Sequence, residues 1–389
     1  MEKAWTHVVN IIYIIIWEGL NENIKKSKII SIDRGKSTTV LTGCSNDKKQ
    51  ETATKGNSDY TIKLGYYNCD HMTAAPVAVD AGIYKDLGLN VQAVGNGKVP
   101  EAMAAGQMDA GYIGTKGLVG AIPKGSPIVV AANNHTGGSE YLVVSKDVKD
   151  PKELIGQKIA SDPANDLLWT TDYGPETGLP VDASKYQVIN IDSSKDAYLA
   201  LKTGQIKAFS ACDPWGSLAE KEGVGKIIST TQFKEKNTGK DYNCCSFSLN
   251  TNFIKEHPDL AKKMVLAHTK AIEYIYTNPV KAAKIFAKNY NVDEEVALMT
   301  IYKKTVGEGR TLTWKIDGNE YKNNLDMYKD NKALDKIPEY TEVVNEELLK
   351  SCGADDFDTF IKEKVNPVFP EGMSYEQWKE KAMEIDGQK

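Results

Sequence analysis

Gly65-Tyr66-Tyr67-Asn68-Cys69-Asp70-His71-Met72 closes a short β-like run, Thr61 to Tyr66, and precedes a helical apolar pattern that begins near Ala75. A strand that breaks into polar residues before a helix is the unit of an open α/β sheet. In such sheets ligands bind beyond the carboxyl ends of the strands, beside helix N-termini whose unpaired N–H groups point outward. The loop is therefore expected to form one wall of a binding site. Asn68, Cys69, Asp70 and His71 set an amide, a thiol, a carboxylate and an imidazole side by side. The plainer reading of the same residues is an exposed turn with a satisfied histidine and a half-buried cysteine.

The alternation continues on both sides of this loop. Strand patterns at Asn90–Ala93, Ala110–Ile113 and Ile128–Ala132 are separated by helical ones at Pro100–Ala105 and Gly117–Ile122. A second set follows: strands Gln157–Ala160, Gln187–Ile191, Ala208–Ala211 and Lys226–Ser229, with helical segments Asp166–Asp172, Asp196–Thr203 and Gly216–Glu222. This order predicts mostly parallel sheets covered by helices. Ala102-Met103-Ala104-Ala105-Gly106-Gln107-Met108-Asp109-Ala110 is echoed by Leu199-Ala200-Leu201-Lys202-Thr203-Gly204-Gln205-Ile206-Lys207-Ala208. Each is a helix ended by a glycine and followed within a few residues by a strand. Two lobes of like design around a cleft are expected. Cys244 to Leu249 reads as a strand returning from the second lobe, and a long amphipathic helix is expected from Phe253 to about Tyr276, with further helices to the end.

The chain has 389 residues, 41% of them apolar and 26% charged, enough for two ordinary domains. A net charge of -5 with no long basic block argues against a nucleic-acid partner. Arginine occurs only at Arg34 and Arg310, and that scarcity removes the residue best suited to clamp an oxyanion with two parallel hydrogen bonds. Gly95-Asn96-Gly97 lacks the spacing of a dinucleotide fingerprint. No catalytic triad, phosphate loop or spaced zinc motif is present, and no cofactor is expected.

Leu41-Thr42-Gly43-Cys44 has the form of a bacterial lipobox, and Ser45 to Asp59 is polar without an apolar period, as a tether would be. Residues 1–43 are read as a signal segment, Cys44 as the lipidated residue and 44–58 as a lipid-anchored tether, which places the protein on the outer face of a bacterial cell membrane. Lys25-Lys26-Ser27-Lys28 supplies a basic start, although Asp33-Arg34-Gly35-Lys36 interrupts the apolar stretch a signal normally carries.

The pattern resembles the substrate-binding proteins of ABC importers for taurine, sulfonates, nitrate and the pyrimidine precursor of thiamine. The matching features are G-Y-Y-N-C-D-H at residues 65–71, Ala78 to Leu89, Gly106-Gln107-Met108-Asp109, Asp213-Pro214-Trp215, and Asn252-Phe253 with Glu256-His257-Pro258. The resemblance covers about Asp59 to Pro279. It implies an α/β, bilobal periplasmic-binding-protein fold of type II, the two-hinge kind, with a helical C-terminal extension. Lobe 1 would comprise 59–145 plus 245–389, and lobe 2 would comprise 146–244. It also implies a monomer that closes on a small solute and docks to an ABC permease in the membrane, and it implies no enzymatic activity.

Strand ends facing the cleft would present Asn68, Cys69, Asp70 and His71, then Thr115, then Asn133, Asn134 and His135, then Ser161 and Asp162, then Cys212, Asp213 and Trp215, and finally Cys244 and Cys245. Exported thiols often pair as disulfides. The sharper alternative is that Cys69, Cys212, Cys244 and Cys245, with His71, ligate a thiophilic metal or organometal. A lesser alternative is an enzyme: the yeast-type thiamine-pyrimidine synthase shares this fold and carries an iron-binding C-C-C-F-C motif, a lysine for pyridoxal phosphate and a substrate histidine. Cys244-Cys245-Ser246-Phe247-Ser248 keeps two of those four cysteines, and Lys116 is the nearest amine, offset from the lysine position that resemblance requires.

Overall fold

Strand β1 (Thr61–Tyr66) buries Ile62 and Leu64 completely and exposes Thr61 and Lys63, the period-2 alternation of a strand with one packed face. In a computed structural model, described over residues 60–387 apart from 68, 96–97, 192 and 235–237, it lies in a five-stranded sheet. Its partners are β2 (Asn90–Gly95), β3 (Ala110–Gly114), β4 (Ile128–Thr136) and the late strand β10 (Asn243–Asn250), in the order β2-β1-β3-β10-β4. β1 runs parallel to β2 and β3, whereas β10 is antiparallel to β3 and β4.

The second sheet repeats the plan. β5 (Glu140–Ser145), β6 (Lys158–Ala160), β7 (Gln187–Val188), β8 (Ala208–Cys212) and β9 (Gly225–Thr230) stand in the order β7-β6-β8-β5-β9. β6 is parallel to β7 and β8, and β5 is antiparallel to β8 and β9. Each lobe thus receives its one antiparallel strand, β10 or β5, directly after the chain crosses over from the other lobe. The crossings run from Thr136 to Glu140 and from Thr230 to Asn243. The change-over expected after residue 145 comes earlier, because Glu140–Ser145 reads as an ordinary apolar strand and only its pairing with β8 and β9 assigns it to the second lobe.

The glycine echo is a shared helix ending. Gly106 and Gly204 have φ of 68° and 75°. Gly106 N donates to Met103 O at 3.0 Å and Gln107 N to Ala102 O at 2.8 Å, while Gly204 N donates to Leu201 O at 3.0 Å and Gln205 N to Ala200 O at 2.8 Å. Left-handed glycines satisfy the last helical carbonyls in both lobes and turn the chain into β3 and β8.

The central strands of each sheet are packed on both faces, as parallel-rich sheets require, with Tyr112 and Ile113 of β3 in different apolar clusters. In β5, Tyr141 and Val143 join one apolar cluster and Leu142 and Val144 the other. Past residue 250 the chain is helical and packs on the first lobe: helix Pro258–Thr277 buries Leu260, Met264, Ile272 and Ile275 in the cluster that holds Ile62, Leu64 and Phe247. The single long helix expected from Phe253 is two, Thr251–Glu256 and Pro258–Thr277. Pro258 pushes the preceding residue out of the helical region, and His257 sits at φ -134°, ψ 59°. Asp166–Asp172 is likewise not a plain helix, since a π-helical turn spans Trp169–Tyr173 and helix Gly174–Thr177 follows.

The described residues belong to a unit that runs from Gly56 to Lys389. The signal segment, Cys44, the tether and Asn68 lie outside the described residues. No helix among the described residues is long and apolar enough to cross a membrane.

Candidate functional site: a thiol-lined cleft

After β1 the chain makes a short 3-10 turn, Asp70–Met72, before helix Ala74–Asp80. Tyr290 Oη donates to Cys69 O at 2.6 Å and Asn134 Nδ2 to His71 O at 2.7 Å, so the turn is pinned from two elements. From the other lobe, Asp70 N donates to Asp213 O at 3.2 Å. That bond sets Cys69 and Cys212, the residues preceding each aspartate, on facing walls. Between them lies a cavity of about 350 Å3 lined by Cys69, His71, Cys212, Cys244 and Cys245 together with Thr115, Lys116, Glu140 and Asp166. A larger surface hollow of about 840 Å3, along Lys322 to Tyr340, holds none of the thiols or imidazoles.

Neighbouring side chains on a regular strand point to opposite faces, yet Cys244 and Cys245 both reach the cavity. The reason is the irregular pairing of β10 with β4, whose register shifts between Asn243 and Cys245 and again between Cys245 and Ser246. A bulge adds a residue to one strand and re-aims its side chains. Asn324, from helix Gly318–Asp330, fixes the bulge: its Oδ1 accepts from Asn243 N at 2.9 Å and its Nδ2 donates to Asn243 O at 2.7 Å. The Asn243 side chain accepts from Thr115 Oγ1.

His71 stands among the sulfurs. Its Nδ1 is 3.6 Å from Cys244 Sγ and 3.8 Å from Cys245 Sγ, and those two sulfurs are 3.3 Å apart. Its Nε2 is 3.4 Å from Ser139 O and 3.7 Å from Asp70 Oδ1. The metal-binding atoms of Cys69, His71 and Cys212 lie within 4.8 Å of one another, and so do those of His71, Cys244 and Cys245. All five described cysteines, including the remote Cys352, are free thiols, so the disulfide reading fails among the described residues.

Burial opposes charge on His71, but the Asp70 carboxylate and the Cys244 thiol together outweigh it and raise the imidazole to about 10. His135 stacks on it with ring centroids 3.9 Å apart and planes within 10°. Burial, with the neighbouring His71, pushes His135 down to about 3, so one ring of the stack carries charge and the other is neutral. The Cys245 thiol, followed by His71, holds Cys244 well below the usual thiol range. A hydrogen bond from Cys212 similarly lowers Cys69. Burial pushes Glu140 up to about 7.

Behind the cavity wall, Lys304 is fully buried and pairs with Asp70 Oδ2 at 2.9 Å and with Glu308 Oε2 at 3.3 Å. Glu308 accepts from Tyr141 Oη at 2.9 Å and from Ser139 Oγ, which ties helix Glu294–Thr305 to the first crossing.

Six of the residues named from the sequence line the cavity: Cys69, His71, Thr115, Cys212, Cys244 and Cys245. Asp70, Asn134 and His135 stand behind its wall. Asn133, Asn134 and His135 fall inside β4 rather than after it. Asp213 is fully buried and caps helix Trp215–Lys221, accepting from Ser217 N at 2.8 Å and Ser217 Oγ at 2.7 Å. Trp215 packs 5.8 Å from the Tyr198 ring in the second lobe, because its position at the start of an amphipathic helix turns it toward that core. Ser161 and Asp162 serve local bonds to Trp169 and Asn165. Glu140, Asp166, Lys304 and Glu308 carry no local sequence signal, since their neighbourhood depends on pairing between distant segments.

The profile of the NMT1-like family matches residues 55–289, more than half of the chain. This chain belongs to the NMT1-like family. The kinship is the one that residues 65–71 and Asp213-Pro214-Trp215 pointed to. None of the curated proteins matches this NMT1-like chain in sequence. Its fold is similar to that of the ligand binding component of an ABC-type import system from Staphylococcus aureus with zinc bound, with TM-score 0.59 and 17% identity over 76% of this chain and 99% of that one. It is also similar to the periplasmic nitrate-binding protein NrtA from Synechocystis PCC 6803, with TM-score 0.60 and 16% identity over 84% and 98%. A third likeness is the periplasmic aliphatic sulphonate binding protein SsuA from Escherichia coli, with TM-score 0.56 and 16% identity over 73% and 97%. These likenesses establish that the NMT1-like chain has the periplasmic-binding-protein fold.

Proposed function

We propose that this protein is the extracytoplasmic solute-binding component of an ABC importer and captures a small solute by closing two lobes around it. The observation that carries this reading is the Asp70 N to Asp213 O hydrogen bond beside a cavity of about 350 Å3. The bond spans the two walls in this conformation, and a solute that touches both walls favours it over a parted form by whatever contacts it makes there. The nitrate, sulphonate and zinc named for proteins of like fold belong to the same class of cargo. Lipidation at Cys44 would hold the protein at the outer face of the membrane, within reach of a permease.

Catalysis through a lysine Schiff base is the weaker reading. Lys116 reaches the cavity from the first turn of helix Thr115–Ala121, but among the described residues neither a phosphate loop nor a second amine stands with it.

Native mass spectrometry of the protein purified without added ligand tests the proposal. The expected result is one small molecule per chain, released on denaturation, with an expansion in small-angle scattering once it leaves. A chain whose scattering and melting temperature respond to no solute, including a concentrate of native growth medium, would sink the reading. Mass spectrometry of the mature N-terminus from membranes tests Cys44, and recovery of an unmodified Met1 chain from the cytosol would remove the anchor.

A further inference from the structure

Among the described residues the cavity wall offers four thiols, one imidazole and the carboxylates of Glu140 and Asp166, and Lys116 is the one cationic side chain besides His71 in that lining. Thr115, Thr231 and Lys116 offer donors to an anion, but four thiols, an imidazole and two carboxylates on the same wall offer a cation more ligands. Sulfur donors favour soft cations.

The spacing fits as well as the composition. In a tetrahedral site with metal–sulfur bonds of about 2.3 Å and metal–nitrogen bonds of about 2.0 Å, sulfur and nitrogen ligands stand roughly 3.6 Å apart and two sulfurs roughly 3.8 Å apart. His71 Nδ1 stands 3.6 and 3.8 Å from the sulfurs of Cys244 and Cys245, whose own separation of 3.3 Å needs an opening of about half an ångström. His71 also forms a second trio with Cys69 and Cys212, whose ligand atoms all lie within 4.8 Å of one another.

A metal-bound histidine ordinarily gives its second ring N–H to a carbonyl or carboxylate, which fixes the ring. His71 Nε2 faces Ser139 O at 3.4 Å and Asp70 Oδ1 at 3.7 Å, and Lys304 holds that carboxylate from the other side at 2.9 Å. Ser139 belongs to the crossing between lobes, so the orientation of the ring depends on the hinge.

We propose, building on the importer reading, that the solute is a thiophilic metal cation bound at His71 by the cleft sulfurs, with Cys212 brought across from the second lobe when the cleft shuts. As the metal binds, the ligating thiols and His71 Nδ1 release the protons they hold to solvent. The cavity is larger than a bare ion needs, which leaves room for a small ligand that travels with the metal.

Cd2+ alone, added anaerobically to the full reduced chain, is the probe. The expected result is one equivalent bound in native mass spectrometry, a sulfur-to-metal charge-transfer band in the near ultraviolet, and compaction in small-angle scattering. Cys212→Ser and Cys244→Ser should each weaken binding by about tenfold or more, and Cys352→Ser should leave it unchanged. Because a substitution can disturb folding, alkylation of the unmodified protein gives a second readout: Cd2+ should protect Cys69, Cys212 and Cys244 while Cys352 keeps its rate. Absence of stoichiometric binding, or a band and protection pattern indifferent to these cysteines, overturns the proposal. Taurine, an alkanesulfonate and nitrate run beside it separate the two ideas. Compaction with one of them and none with Cd2+ removes the metal and keeps the importer, and compaction with no probe or medium extract removes both.

Discussion

Asp70 and Asp213 face each other across the cleft, the backbone N–H of the first donating to the carbonyl of the second at 3.2 Å. Both carboxylates point away from the cavity into ion pairs, Asp70 with the fully buried Lys304 at 2.9 Å and Asp213 with the half-buried Lys303 at 3.4 Å. Lys303 and Lys304 sit on one helix, Glu294–Thr305, which therefore fastens the loops behind the cleft in both lobes. The cysteines that precede the two aspartates face inward. In the proposed closure, the meeting of Asp70 with Asp213 and of Cys69 with Cys212 is one geometric event.

Removal of the buried cation should be severe. Lys304→Met strips Asp70 of its ammonium partner in a dry site and leaves only His71 Nε2 facing it at 3.7 Å, a loss of about 3–5 kcal/mol by the usual cost of breaking a buried pair. Adding Asp70→Asn to it should recover most of that loss. Urea unfolding of the two variants checks this, and a single variant within about 1 kcal/mol of the parent contradicts it.

The hinge has no space at Gly138. A Cβ built there would lie 1.3 Å from the Thr231 carbonyl oxygen of the opposite crossing strand, so Gly138→Ala must push the two crossings apart. We expect a loss of about 1–3 kcal/mol in thermal unfolding and a larger radius of gyration than the parent under the same conditions. An unchanged melting temperature and radius would show that the crossings are not held this tightly.

Glu308 gives a pH dependence with a defined sign. Burial works against its charge, but Lys304, Ser139, Lys303 and Tyr141 together lower its carboxyl from the ordinary 4.5 to about 2. A depressed folded-state value means stability that is fully present above the unfolded value and fades as the pH falls from about 4.5 to about 2. Glu308→Gln should be less stable at neutral pH and should lose less on acidification over that window. Parallel stability curves for the two proteins would contradict the assignment.

Cys69 and Cys212 come from different lobes, yet their sulfurs lie within 4.8 Å. Mild diamide oxidation should therefore cross-link them, with a Cys69–Cys212 peptide found by mass spectrometry and Cys352 left free. Failure of that pair to form, while Cys244 or Cys245 is consumed, would mean that the shut arrangement is little populated in solution.

Local chemistry made much of this protein readable from its order of residues. The period-2 burial of Ile62 and Leu64, the helix endings at Gly106 and Gly204, and the chemistry-rich turn after β1 all rest on hydrogen bonds and packing between near neighbours, and these act wherever the segment lies. The tertiary structure alone decided the rest. It put Glu140–Ser145 in the second sheet, brought Lys304 to Asp70, turned Trp215 into a core, and bulged β10 so that adjacent cysteines share a face. Each of these depends on which distant strand or helix becomes a neighbour, and pairing of that kind is set by the packing of whole elements, which no short stretch of the chain encodes.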